Sequence, residues 1–142
     1  MGVLEKVVGG SVYLDANVFI YAIEDYPDYD ADVSELFREL DARNLSAFTS
    51  ELTLAEVLVK PLADRDSDLV ENYKKFVTNS KYLTVVPVAR SIILRAAEVR
   101  SILGLRLPDA IHLATALESG CTSLVTNDRE MKVTGNIALV LM

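Results

Sequence analysis

Apolar positions along this chain follow two alternating rhythms. In "SVYLD" (Ser11–Asp15), preceded by Gly9-Gly10, a short β-rich run predicts a strand. In "ADVSELFREL", Val33, Leu36, Phe37 and Leu40 fall on one helical face. Further strands are expected at "SAFTS" (Ser46–Ser50), "YLTVVPV" (Tyr82–Val88), "TSLVTND" (Thr122–Asp128, with its exit turn) and "NIALVL" (Asn136–Leu141). Helices are expected between them. "ANVFIYAI" follows the first strand until the turn chemistry around Pro27, and "TLAEVLVKPLA" is ended or kinked by Pro61. Asp66–Asn79 is a more polar helix, "RSIILRAAEVRSILG" closes at Gly104, and "LRLPDAIHLATALESG" closes at Gly120.

Strands that alternate with helices imply a mostly parallel sheet covered on both faces. Such sheets bind ligands beyond the carboxyl ends of their strands. No repeat, low-complexity tract or linker divides the 142 residues, so one domain over residues 1–142 is expected.

Four acids lie at those element ends, each flanked by apolar residues. Asp15 ends the first strand, Glu56 sits one turn into the helix after "SAFTS", Asp109 opens the helix after Pro108, and Asp128 follows "LVTN". Each has an ordinary structural explanation. Asp15 and Asp128 suit helix N-caps, Thr53 and Glu56 spell a capping box, and Asp109 suits the positive end of a helix dipole. Together they are harder to explain. Two carboxylates ~5 Å apart at an effective dielectric of ~20 repel by about 3 kcal/mol. A helix dipole offsets only about 0.3–1 kcal/mol. Arg106 and Arg129 lie near two of the acids, too few to span the cluster. Hard divalent cations would neutralise it, and an oxygen-only donor set selects Mg²⁺ or Mn²⁺. A pair of such ions suits phosphodiester hydrolysis.

Composition adjusts this reading. The net charge of −7 disfavours broad nucleic-acid binding, though cations held by the acids would cancel part of it. One histidine and one cysteine exclude a Cys/His zinc site and an internal disulfide, and a lone Cys121 fits a reducing cytoplasm. No secretory signal or apolar span is recognised, so a cytoplasmic protein without a membrane partner is expected. His112, three residues after Asp109, is more ordinarily a structural histidine. Arg106, Arg129 and Lys132 near the proposed mouth are either phosphate contacts or a solvated surface. An aspartyl phosphatase fits poorly, because Ala16-Asn17 after Asp15 lacks the second acid of an Asp-x-Asp loop.

"YLDANVF", "AEV", "LRLPDAIHLATAL" and "LVTND", in that order and across essentially the whole chain, resemble a PIN domain. More narrowly, they resemble the VapC-type toxins of prokaryotic toxin–antitoxin pairs and their stand-alone relatives. The resemblance implies a three-layer α/β/α sandwich around a mostly parallel sheet of about five strands. It implies a Mg²⁺- or Mn²⁺-dependent endoribonuclease with one or two ions, a homodimer, and a small antitoxin partner. It makes Asp15, Glu56, Asp109 and Asp128 the metal-binding and catalytic acids. Asn17 would orient the first acid, and Thr126 and Asn127 would hold metal-bound water. Arg106, Arg129 and His112 are candidate substrate contacts. A catalytically silent scaffold or RNA-binding dimer of the same fold is the alternative.

Overall fold

A computed structural model describes residues 2–142. The chain runs α1 (Val3–Lys6), β1 (Ser11–Leu14), α2 (Ala16–Glu24), α3 (Asp30–Asp41), β2 (Ser46–Ser50), α4 (Glu51–Ala63) and α5 (Ser67–Asn79). It continues through β3 (Leu83–Val86), α6 (Arg90–Leu103), α7 (Leu107–Glu118), β4 (Ser123–Thr126) and β5 (Ala138–Leu141). The five strands form one sheet in the order β3-β2-β1-β4-β5, and every pairing is parallel. β1 is therefore central, and the chain reverses its direction of travel across the sheet there.

Strand periodicity explains the layers. Side chains alternate faces along a strand, and the register keeps like with like. Tyr13 pairs with Phe48 on one side and Leu124 on the other, and Leu124 pairs with Leu139. All four join a core completed by Ile92, Ala96 and Val99 of α6 and Leu113, Ala114 and Ala116 of α7. Val12, Leu14, Ala47, Leu83, Val125 and Val140 face the other way. They pack on Phe19 of α2, Leu36 and Leu40 of α3, Val57 of α4 and Tyr73 of α5. The expected α/β/α sandwich with a parallel sheet of five strands is thus observed.

Element ends differ from the sequence reading in instructive ways. α4 passes through buried Pro61 and stops at Ala63, so the proline lies in the last turn rather than ending the helix. The short α1 was not foreseen, and its Val3 amide donates to Asp32 Oδ1 of α3 at 3.3 Å. Left-handed residues close the helices where expected: Gly104 (φ 70°) after α6 and Gly120 (φ 70°) after α7. No helix among the described residues is long and apolar enough to cross a membrane.

Candidate active site

The carboxyl ends of β1, β2 and β4 and the start of α7 converge on one polar cleft of about 530 Å³. It is lined by Asp15, Asn17, Glu56, Arg106, Asp109, Asp128 and Glu130, together with Ala16 and Ile20. All four acids singled out from the sequence therefore open onto the same cavity. Asn17 lines it as well.

Each acid is held by a local device. Asp15 follows the last residue of β1 in an extended conformation and caps α2, its Oδ1 accepting from the Ala16 amide at 2.7 Å. Its other oxygen, Oδ2, accepts from the Thr126 hydroxyl at 2.6 Å. Capping is thus a true description of Asp15, and an incomplete one. Glu56 is not part of a capping box: Ser50 is the N-cap of α4, accepting from the Leu52 amide at 3.0 Å. Thr53 is buried, with its hydroxyl 2.7 Å from that of Thr49. Asp109 lies in the first turn of α7. Asp128 starts no helix; its Oδ1 accepts from the Glu130 amide at 2.9 Å and fixes a turn after β4.

Arg106 joins two of the acids. Its Nε donates to Asp109 Oδ2 at 3.1 Å and a terminal nitrogen donates to Asp128 Oδ2 at 3.4 Å. The guanidinium side chain is 71% exposed, whereas Asp109 is 13% exposed. Burial raises the Asp109 carboxyl above its ordinary range; Arg106 opposes this, and Asp128 and Asp15 reinforce it. The electrostatic crowding anticipated from sequence is therefore present, with one arginine relieving half of it.

His112 corrects an expectation. It was counted among the candidate substrate contacts, but it is only 1% exposed and lies beneath the carboxylates, where substrate cannot reach. Its Nε2 is 2.5 Å from Glu56 Oε1 and 3.7 Å from Asp15 Oδ1, and its Nδ1 is 2.5 Å from the Tyr13 hydroxyl. Burial alone would lower the imidazole, but Glu56, Asp15 and Asp109 outweigh it and the net shift is upward. Burial also pushes the Tyr13 phenol well up, reinforced by Asp15 and partly opposed by the Thr49 and Thr53 hydroxyls. Helical spacing from Asp109 hinted at this proximity; the partners on β1 and α4 left no sequence signal.

The polar pair after β4 also departs from expectation. Thr126 spends its proton on Asp15, and its oxygen accepts from the Asp128 amide at 3.0 Å. Asn127 turns away from the cleft, donating to the Tyr21 hydroxyl at 2.6 Å and accepting from the Tyr29 hydroxyl at 3.5 Å. These groups of Thr126 and Asn127 thus have protein partners in this structure. Arg129 and Lys132 line an adjoining cleft of about 300 Å³ that shares Arg106, Asp109 and Glu130 with the first. Glu51, the other acid of α4's first turns, is exposed and does not line the cleft.

The donor set fits a hard divalent cation. Asp15 and Glu56 each offer an oxygen that lies, with a nitrogen of His112, in a group whose members are within 4.8 Å of one another. Asp109 and Asp128 add further carboxylates around the same cavity. Carboxylate oxygens in this number suit Mg²⁺ or Mn²⁺.

Comparison with known proteins agrees with this architecture. VapBC2 from Rickettsia felis, bound to a DNA fragment from its promoter, superposes with a TM-score of 0.73 at 20% identity, covering 93% of this chain and 98% of that one. DNA-bound VapBC from Salmonella typhimurium gives 0.65 at 21% identity, covering 92% and 97%. VapC20 from Mycobacterium tuberculosis, described as a toxin that cleaves the sarcin–ricin loop, gives 0.64 at 13% identity, covering 80% and 86%. No curated protein matches by sequence. The PIN domain model matches residues 12–137, from within the central strand β1 to the residue before β5. That span takes in every acid of the cleft and the strands that carry them, and the chain belongs to the PIN domain family.

Proposed function

We propose that this protein is a divalent-metal-dependent endoribonuclease of the VapC kind, cutting RNA phosphodiester bonds at the four-acid cleft. One observation carries the reading: Asp15, Glu56, Asp109 and Asp128, far apart in sequence, line a single cavity beyond the carboxyl ends of a parallel sheet. Asp15 and Asp109 are the principal ligands, with Glu56 and Asp128 completing the set. Mg²⁺ or Mn²⁺, when bound, supplies an activated water and neutralises charge on the departing oxygen.

The remaining chemistry belongs to the chain. Thr126 and the Ala16 amide hold both oxygens of Asp15, which fixes the direction in which its lone pairs face the cavity. Glu56, the most exposed of the four proposed acids, is the one suited to accept a proton from the attacking water. Arg106, Arg129 and Lys132 form the positive side of the paired clefts and contact substrate phosphates. Because the chain as a whole carries a net charge of −7, binding depends on these few cations and is steeply salt-sensitive. A small antitoxin partner is part of the proposal, supported by similar folds that occur in VapBC toxin–antitoxin complexes. So are a homodimer and a cytoplasmic setting, on the family resemblance alone.

The test is direct. Purified protein with Mg²⁺ or Mn²⁺ is expected to cut structured RNA and leave DNA of the same sequence intact, and chelation is expected to stop cutting. Asp15→Asn and Asp109→Asn are expected to abolish it. Equal cutting by those variants would place the activity elsewhere. A metal-independent scaffold is the second reading, favoured by Arg106 already compensating Asp109 and Asp128. Calorimetry separates the two, since a scaffold takes up no Mn²⁺ at millimolar concentration.

A further inference from the structure

Beneath the cleft lies a chain of buried polar groups that the four-acid reading leaves unused. Thr49 donates to the Leu14 carbonyl at 2.7 Å and contacts Thr53 at 2.7 Å. Tyr13 reaches His112 Nδ1, and His112 Nε2 reaches Glu56. Tyr13, Thr49 and Thr53 are fully buried, and His112 is 1% exposed. Buried polar groups of this kind are costly unless paired, and among the described residues no buried side-chain polar atom lacks a partner.

Proton inventory decides what His112 does. Its Nε2 faces a carboxylate oxygen at 2.5 Å, and an ionised carboxylate only accepts. The contact is a hydrogen bond only if Nε2 carries the proton. Nδ1 then accepts from the Tyr13 hydroxyl when the ring is neutral, and donates to it when the ring is charged. In either state the Nε2 lone pair is unavailable to a cation. Although the ring lies within the same small cluster as Asp15 and Glu56, it is not arranged as a ligand.

We propose that His112 is a positioning residue. Its ring, set by Tyr13, donates through Nε2 to Glu56 and holds that carboxylate towards the cleft, without touching substrate or metal. The proposal deepens the nuclease reading and rests on it for its kinetic consequence. It assigns the cleft a purely oxygen donor set, with the histidine behind it. Glu56 needs such support because its side chain is 34% exposed and, among the described residues, no other side-chain hydrogen bond to it is made.

The sequence makes the test clean, because His112 is the only histidine. A long-range ¹H–¹⁵N spectrum of the labelled wild-type protein therefore shows one imidazole. The expected spectrum has Nε2 protonated in mildly acid and mildly alkaline buffer, unchanged by saturating Mg²⁺. A bare Nε2, or loss of its proton when Mg²⁺ is added, overturns the assignment. Kinetics give the second arm. His112→Leu is expected to lower RNA cleavage about 10- to 100-fold, the usual loss for an outer partner of a ligand. His112→Gln, which keeps a side-chain N–H, is expected to recover part of it. In a Glu56→Ala background, which lacks the acceptor, His112→Leu is expected to cost nothing more; losses that multiply would mean an independent role and overturn the proposal. A wild-type protein that shows the protonated Nε2 but cuts no nucleic acid defeats the nuclease reading while supporting the hydrogen-bond assignment.

Discussion

The Thr126 hydroxyl donates to Asp15 Oδ2 at 2.6 Å, from one central strand to the end of its neighbour. Both residues are buried, and the parallel pairing of Leu14 with Val125 sets them side by side. Thr126→Val keeps the shape and removes the donor. Asp15 would lose the fixed direction of one oxygen, and Mn²⁺ affinity is expected to fall about 10- to 100-fold. Thr126→Ser is expected to retain most of the affinity. Isothermal titration of the two variants with Mn²⁺ checks this, and equal affinities would show that the hydroxyl does not orient the acid.

Arg106 is paired with Asp109 and Asp128, two of the four acids proposed to hold a cation. Because its side chain is largely exposed and its charge is screened by solvent, its ion pairs contribute little to folding. Arg106→Ala is therefore expected to leave the melting temperature nearly unchanged. It is expected to tighten Mn²⁺ binding a few-fold, as one positive charge leaves the rim, and to weaken RNA binding. Opposite signs for metal and RNA are the diagnostic, read by calorimetry and by filter binding.

Asp109 costs the metal-free fold stability. Burial raises its carboxyl, so between the ordinary aspartate range and the raised value the folded state binds more protons than the unfolded one. Stability then falls as pH rises through that window. Asp109→Asn is expected to raise the stability of the metal-free protein at neutral pH by about 1 kcal/mol, a typical gain at a strained functional position. The advantage is expected to shrink as pH falls through that window and to vanish below the ordinary aspartate range, where the wild-type carboxyl is protonated in both states. With Mg²⁺ present the wild type is expected to close the gap by mass action. Melting curves over pH, with and without Mg²⁺, test all three statements.

Cys121 lies in the turn after α7, and burial pushes its thiol up to about 12. At pH 8 it is therefore fully protonated in the folded state and shielded by its neighbours. Aromatic disulfide reagents are expected to leave the native protein unlabelled and to modify it one-for-one in denaturant. Rapid labelling of the native protein would contradict the packing of Cys121 in the core beneath α6 and α7.

The layers of this fold were readable from sequence because the strands are short, largely apolar runs bounded by turn signals and each helix repeats. Val12, Leu14 and Val125 point to one side and Tyr13 and Leu124 to the other, as their apolar spacing requires. The four acids were readable because carboxylates at the ends of apolar elements are conspicuous. Their supports were not. His112 meets partners 56 and 99 positions away, and Arg106 reaches Asp128 across 22 positions. Such pairings follow from the packing of α7 against the sheet, which no local pattern encodes. Ser50 displaced Thr53 as a helix cap for a related reason: β2 runs straight into α4, so the junction residue takes the cap.

The order of the cleft's residues along the chain also bears on synthesis. The central strand is made first and offers Asp15, whereas its neighbour β4 and helix α7 follow only after β2 and β3. An unfinished polypeptide thus exposes one or two isolated carboxylates and no pocket to hold a cation between them. On the proposed nuclease reading, the cleft therefore stays unassembled, and the ribosome's own RNA safe from it, until α7 and β4 have both been made.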